Sequence, residues 1–209
     1  MRATPIYPAN LGWLQVDLDR PTLDHLWNCI EESGSENPCK NKLIGQIHQS
    51  FAVKDKDDLF WKQVLVPLCD HYGAEFSHEH ADLNVQPSVS DSFGLYLHEF
   101  WVNYQKKHEY NPTHNHGGVY SFVIWLKIPT RYEDQANLDN CKDSNARCNS
   151  TFQFQYLDIL GRQRNYAYAL NPEDEGKLVL FPSKLLHSVY PFYEWDEDRI
   201  SMSGNIWLR

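Results

Sequence analysis

The chain has 209 residues, 42% of them hydrophobic and 14% aromatic, enough for one domain with a full core. Its formal net charge of -9 argues against nonspecific binding to nucleic acid or to an anionic membrane, both of which need a positive field. No apolar run approaches the roughly 20 residues that span a bilayer, and Met1-Arg2-Ala3-Thr4-Pro5 lacks the apolar core of a signal peptide, so the expected location is cytoplasmic. Five cysteines (Cys29, Cys39, Cys69, Cys141, Cys148) are an odd number without regular spacing and read as reduced thiols. Cys141 and Cys148 share a polar loop and can pair under oxidation.

Along the chain, Asp19 to Glu32 carries Leu23, Leu26, Trp27 and Ile30 at helical spacing, with Pro21 near the start and Gly34 past the end. Asp57 to Tyr72 repeats the pattern through Leu59, Val64, Leu65 and Leu68, and Pro67 is expected to kink or interrupt it. From Gly94 the period changes. Tyr96 to Tyr104, Val119 to Ile128, Thr151 to Ile159, Tyr166 to Leu170, Lys177 to Phe181 and Arg199 to Leu208 read as strands rich in aromatic and branched residues. Many short strands after two helices predict a mainly β domain over 1–209, a jelly-roll double-stranded β-helix of the cupin-like kind. Residues 1–93 form its helical support region and 94–209 its core. Arg131 to Ser150 is a long polar connection, read either as a mobile substrate lid or as a surface insertion.

The candidate site begins at His114-Asn115-His116. On an extended strand, residues two apart share a face, so both imidazoles can grip one metal ion. His187, remote in sequence, is the third ligand that the fold would have to deliver. Three ligands leave about three positions on an octahedral iron, enough for a bidentate keto acid and dioxygen. Arg199-Ile200-Ser201 then puts a guanidinium fork and a hydroxyl on one strand face, a pairing suited to a carboxylate. In the last strand Arg199, Ser201, Ser203, Asn205 and Trp207 alternate with Ile200, Met202, Gly204, Ile206 and Leu208, one face polar and the other mostly apolar.

Each feature has an ordinary explanation. His78-Glu79-His80 has the same spacing in a polar segment without a strand pattern and reads as surface histidines. His114 and His116 can likewise be loop histidines, with Arg199 paired to Asp196 or Asp198 and the polar strand face turned to solvent.

Taken with their strand context, these residues resemble a 2-oxoglutarate- and Fe(II)-dependent oxygenase. The resemblance rests on Tyr104 with His114-Asn115-His116, on Gly176 to Ser183 leading into His187, and on Arg199-Ile200-Ser201, and it spans roughly Tyr96 to Arg209. It is closest to the prolyl-4-hydroxylase-like branch and to small oxygenases carried by bacteriophages, whose N-terminal part Lys42 to His48 also resembles. The resemblance implies Fe(II) on His114, His116 and His187, with no catalytic residue beyond the ligands. It implies 2-oxoglutarate held at its distal carboxylate by Arg199, Ser201 and Tyr104, with O2 as the oxidant. Tyr104 is otherwise a core tyrosine. The implied reaction hydroxylates a protein or peptide side chain, proline being a candidate, with release of succinate and CO2, in the host cytoplasm if the chain is phage-borne. One departure stands out: His116 occupies a position where the family expects a carboxylate, leaving three neutral imidazoles. The rival readings are a cupin-type metal enzyme that does not use 2-oxoglutarate and a non-catalytic metal-binding barrel.

Overall fold

The computed structural model describes residues 3–4, 12–40, 43–76 and 94–209, so His78-Glu79-His80 lies outside the described residues. Its architecture is two antiparallel sheets face to face, with helices against the outer side of the larger one. The larger sheet runs β1 (Leu14–Asp17), β8 (Lys177–Pro182), β5 (Tyr120–Lys127), β10 (Arg199–Leu208), β3 (Leu95–Gln105), β2 (Gln49–Ala52). The smaller runs β4 (Asn111–His114), β9 (Leu186–Val189), β6 (Thr151–Leu157), β7 (Gln163–Ala169). This is the jelly roll expected from the strand pattern. β1, β2, β4 and β9 have four residues each, too few for an alternation to stand out in the sequence. β1 and β2 come from the first 93 residues and pair with β8 and β3 at the sheet's two edges. The N-terminal part therefore extends the sheet as well as supporting it with helices.

Helix α1 (Arg20–Ser33) starts where Asp19 Oδ1 accepts the Thr22 N–H at 3.0 Å and stops at Gly34, whose φ of +58° suits a residue without Cβ. Pro67 does not break the second helical segment. It lies in the first turn of α2 (Val66–Glu75), where a missing N–H costs little, after a π-helical turn over Trp61–Leu65.

The larger sheet separates two cores. On its outer side Phe100, Phe122, Ile124, Met202 and Ile206 pack against Leu26 and Ile30 of α1 and against Leu65 and Tyr72. Between the sheets Val123, Trp125, Phe152, Phe154 and Phe181 form the second core. Alternation thus sends the apolar residues of β10 to the helices and leaves its polar face inside the sandwich. From Arg199 to Asn205 that face is turned inward, with Arg199 1% exposed and Asn205 4%, while Trp207 near the strand's end is 36% exposed.

Candidate active site

The three histidines converge. His114 and His187 are cross-strand partners of β4 and β9, and the chain continues from β4 to bring His116 beside them. Their ring nitrogens lie within 4.8 Å of one another. His116 Nε2 is 3.2 Å from His187 Nε2. His114 Nδ1 donates to the Pro112 carbonyl at 2.7 Å and His187 Nδ1 to the Leu185 carbonyl at 2.9 Å. A carbonyl only accepts, so each Nδ1 carries the proton and each Nε2 offers a lone pair, the arrangement that outer contacts give to metal-binding imidazoles.

Burial keeps all three rings neutral. Desolvation lowers the pKa of His114, brings His116 down to about 4 with help from His114 and Lys184, and holds His187 well below the ordinary range. Phe181, Phe152 and Phe154 surround the His187 ring at centroid distances of 4.9, 5.6 and 6.3 Å. The backbone of His116 is pinned by its N–H to the Ser183 carbonyl at 2.8 Å and by the Lys184 ammonium on its own carbonyl at 3.1 Å. Beyond it, Trp207 covers the Gly117-Gly118 turn: a Cβ on Gly117 would come within 2.8 Å of the indole.

Arg199 enters the same cavity from β10. Its guanidinium donates to Ser150 Oγ at 2.6 Å and to Gln105 Oε1 at 3.4 Å, lies 5.0 Å over the Phe192 ring, and has a buried Nε with no partner. No ion pair to it exists among the described residues. Asp196 pairs with Lys107 at 2.7 Å, and Asp198 leaves its own Oδ1 unpartnered. Desolvation alone pulls the Arg199 pKa down to about 9, which measures how poorly this cation is compensated.

The cavity, about 170 Å³, joins Arg199 to the imidazoles. Ser201 and Ser203 line it from β10, and Trp101, Asn103 and Gln105 from β3. No aspartate or glutamate is among the described lining residues. The fit to iron and a keto acid therefore rests on donor chemistry. Three imidazole lone pairs suit Fe(II), and an uncompensated buried guanidinium suits an anion. A dianion would also neutralise the +2 charge that three neutral ligands leave on the metal.

Tyr104 is a correction. It faces away from the cavity, packing beside Ile200 on the helix-side core and edge-on to Phe51 at 6.1 Å. The reason is strand phase: Arg199 pairs with Gln105 and Ser201 with Asn103, whereas Tyr104 pairs with the apolar Ile200. Cross-strand partners share a face. The apolar alternation of β10 therefore already carried the signal, and Asn103 and Gln105 take the cavity side.

Two segments contribute to the site in ways the sequence did not indicate. Leu43, Ile44, Gly45 and Ile47 cover the cavity beside Asn111, and Gln46 is held there by backbone bonds to Tyr110 at 2.8 and 3.3 Å. Gly45 lets the chain approach closely here: a Cβ would lie 1.4 Å from Asn111 Oδ1, so a larger residue would have to push the Asn111 side chain aside. The connection after β5 is also less loose than its composition suggests. It holds the short helix α3 (Tyr132–Ala136), and Gln135 exchanges bonds with the Tyr193 backbone at 3.0 and 2.8 Å. Its last residue, Ser150, reaches Arg199. Only residues 142–147 form an exposed run.

A jelly roll whose interior joins a cluster of neutral imidazoles to a buried, unpaired arginine is the architecture of an oxygenase that uses a metal and a keto acid. The 2OG-Fe(II) oxygenase family model matches residues 99–205, more than half of the chain, and the protein belongs to that family. It is accordingly an Fe(II)-dependent enzyme with 2-oxoglutarate and O2 as cosubstrates. Its fold is similar to a collagen prolyl hydroxylase of Paramecium bursaria Chlorella virus-1 solved with 2OG, at 12% identity over 93% of this chain and 94% of that one, TM-score 0.51. It is also similar to a Pseudomonas putida prolyl-4-hydroxylase, at 15% identity over 96% and 94%, TM-score 0.50. A third is a 2OG-Fe(II) oxygenase family oxidoreductase of Burkholderia pseudomallei, at 13% identity over 94% and 85%, TM-score 0.51. At such identities the likeness speaks for the fold. No curated protein matches the chain. No helix among the described residues is long and apolar enough to cross a membrane.

Proposed function

We propose that the protein hydroxylates a protein or peptide side chain, with Fe(II) on His114, His116 and His187 and the distal carboxylate of 2-oxoglutarate on Arg199. When bound, iron, keto acid and dioxygen together supply the oxidising power that puts a hydroxyl on an unactivated carbon, with succinate and CO2 released. The chain's own part is binding, orientation and exclusion of water. The Nδ1–H bonds of His114 and His187 hold two rings with their lone pairs inward, and the Ser183 and Lys184 contacts fix the third. Arg199, steadied by Ser150 and Gln105, offers its free Nε–H to the carboxylate, with Ser201 and Asn103 beside it as further polar partners. Phe152, Phe181, Trp101 and Trp125 make the remaining walls apolar, which strengthens every charge contact inside.

The observation that carries this reading is a buried arginine that has no acid among the described residues, in a cavity with no carboxylate among its described lining, next to three neutral imidazoles. A cupin-type enzyme without a keto acid would leave that cation unused. The peptide substrate, with proline a candidate, is supported by the fold shared with two prolyl hydroxylases. The test is succinate release from 2-oxoglutarate with Fe(II), comparing proline-containing peptides with free amino acids. Stimulation by peptides and mass gain of one oxygen on the peptide are expected. Stimulation by free amino acids alone would overturn the substrate class.

A further inference from the structure

A second cluster of metal-ligating side chains lies outside this cavity, where α1 meets the segment before the second helical region. His25 and Cys29 are one turn apart on α1, and Asp55 faces them from across the chain. His25 Nε2 is 3.0 Å from Asp55 Oδ1 and 3.3 Å from Cys29 Sγ, and all three donor atoms fall within 4.8 Å of one another. Cys29 is 1% exposed, and the His25 and Asp55 side chains are 15% and 4% exposed.

A single ring nitrogen, His25 Nε2, faces both of the other candidate ligands. A neutral imidazole has at most one proton on Nε2, so it cannot donate to the Asp55 carboxylate and accept from the Cys29 thiol at once. Backbone donors reach both flanks, while burial and the nearby Asp55 charge hold the Cys29 pKa above its ordinary value, so the thiol keeps its proton until a metal displaces it. Asp55 accepts the Phe60 N–H at 3.0 Å and the Trp61 N–H at 2.7 Å, and the Lys56 backbone N–H is directed at the Cys29 sulfur. Such outer donors orient and tune carboxylate and thiolate ligands in metal sites. The spacing also agrees. With Zn–N and Zn–O near 2.1 Å and Zn–S near 2.3 Å, tetrahedral ligands would stand about 3.4 to 3.6 Å apart, within about half an ångström of the His25–Asp55 and His25–Cys29 separations, and the Cys29–Asp55 pair lies within 4.8 Å.

We infer that His25, Cys29 and Asp55 form a second metal site, built for one tetrahedral divalent ion such as zinc that ties α1 to the chain at Asp55. The sulfur ligand sets it apart from the all-histidine centre, because thiolate selects softer ions. Binding releases the thiol proton to solvent as the metal–sulfur bond forms. The site is independent of the oxygenase reading.

Anaerobic titration of the metal-free protein with cobalt(II) tests it, since only a thiolate ligand gives a sulfur-to-cobalt charge-transfer band in the near ultraviolet. Two tightly bound equivalents and that band are expected for the unaltered chain. His116→Ala should lose one equivalent and keep the band. Cys29→Ser and His25→Gln should each lose one equivalent and the band, with melting checked to confirm that each variant folds. A single equivalent without the band in the unaltered protein would overturn the inference. So would a band that survives in folded Cys29→Ser, since the sulfur would then belong to another cysteine.

Discussion

At the scale of single residues, the account turns on how a buried cation is compensated. Arg199 has hydrogen bonds but no counter-charge among the described residues, and a charge-assisted contact to a carboxylate would fill that gap. Truncating one side of such a pair costs about 2–5 kcal/mol, so Arg199→Ala should raise the 2-oxoglutarate requirement by roughly one to three orders of magnitude. Iron binding, read by metal analysis, should hardly change, because Arg199 lies outside the imidazole cluster. Lysine should rescue only partly, keeping charge but losing the fork. Normal keto acid binding by Arg199→Ala would put the cupin-type reading ahead. His116 invites the complementary substitution. His116→Asp would restore the family's usual carboxylate and should still bind iron. It also removes one unit of positive charge from the centre, so the 2-oxoglutarate requirement should rise, with steady-state kinetics as the check. An unchanged requirement would mean that the third imidazole has no electrostatic part in holding the keto acid.

At the scale of elements, the connection from Arg131 to Ser150 behaves as two pieces. Its ends are built into the molecule through Gln135, Asn149 and Ser150, and Ser150 touches Arg199. Ser150→Ala should therefore raise the 2-oxoglutarate requirement about three- to tenfold, the worth of roughly 1 kcal/mol of lost support for the guanidinium, about one ordinary hydrogen bond. Removing residues 142–146 from the exposed run should leave that requirement unchanged. A loss of keto acid binding on that deletion would show that the whole connection shapes the pocket. Polar composition had suggested a looser segment, because side chains that cap their own backbone and those that solvate a mobile loop are the same types. The His114 and His116 pair and Arg199 were legible since alternation and spacing are local, and His187 through the resemblance; the fold brings all four to one cavity. For Tyr104 the resemblance and strand phase point to opposite faces, and strand phase prevails, because its partner Ile200 lies on the apolar face of β10. Asn103, Gln105 and Ser150 were invisible for a different reason: long-range pairing, the β3–β10 register for the first two and the Ser150 N–H bond to the Pro191 carbonyl for the third, brings them to the cavity.

Across the whole molecule, the jelly roll and its helical layer followed from the change in hydrophobic period at Gly94, whereas the four-residue strands that complete the sheets follow from pairing. The buried imidazoles give the metal-free protein a pH dependence. Their folded pKa values lie below the ordinary 6.5, with His116 at about 4. The unfolded chain therefore takes up protons first as pH falls, and stability drops from about pH 6.5 down to about pH 4. Melting of the metal-free protein should be lower at pH 5 than at pH 7.5, and His116→Gln should flatten that slope; equal slopes would contradict neutral burial of His116. The central claim is that one cavity holds iron on three imidazoles and 2-oxoglutarate between that iron and Arg199. Anaerobic addition of Fe(II) and 2-oxoglutarate tests it most directly, through the visible metal-to-ligand charge-transfer band of a chelated keto acid. The account predicts the band in the unaltered protein, its loss in His187→Ala at any keto acid concentration, and its recovery in Arg199→Ala only at much higher 2-oxoglutarate. No band in the unaltered protein, or a full band in His187→Ala, would contradict it.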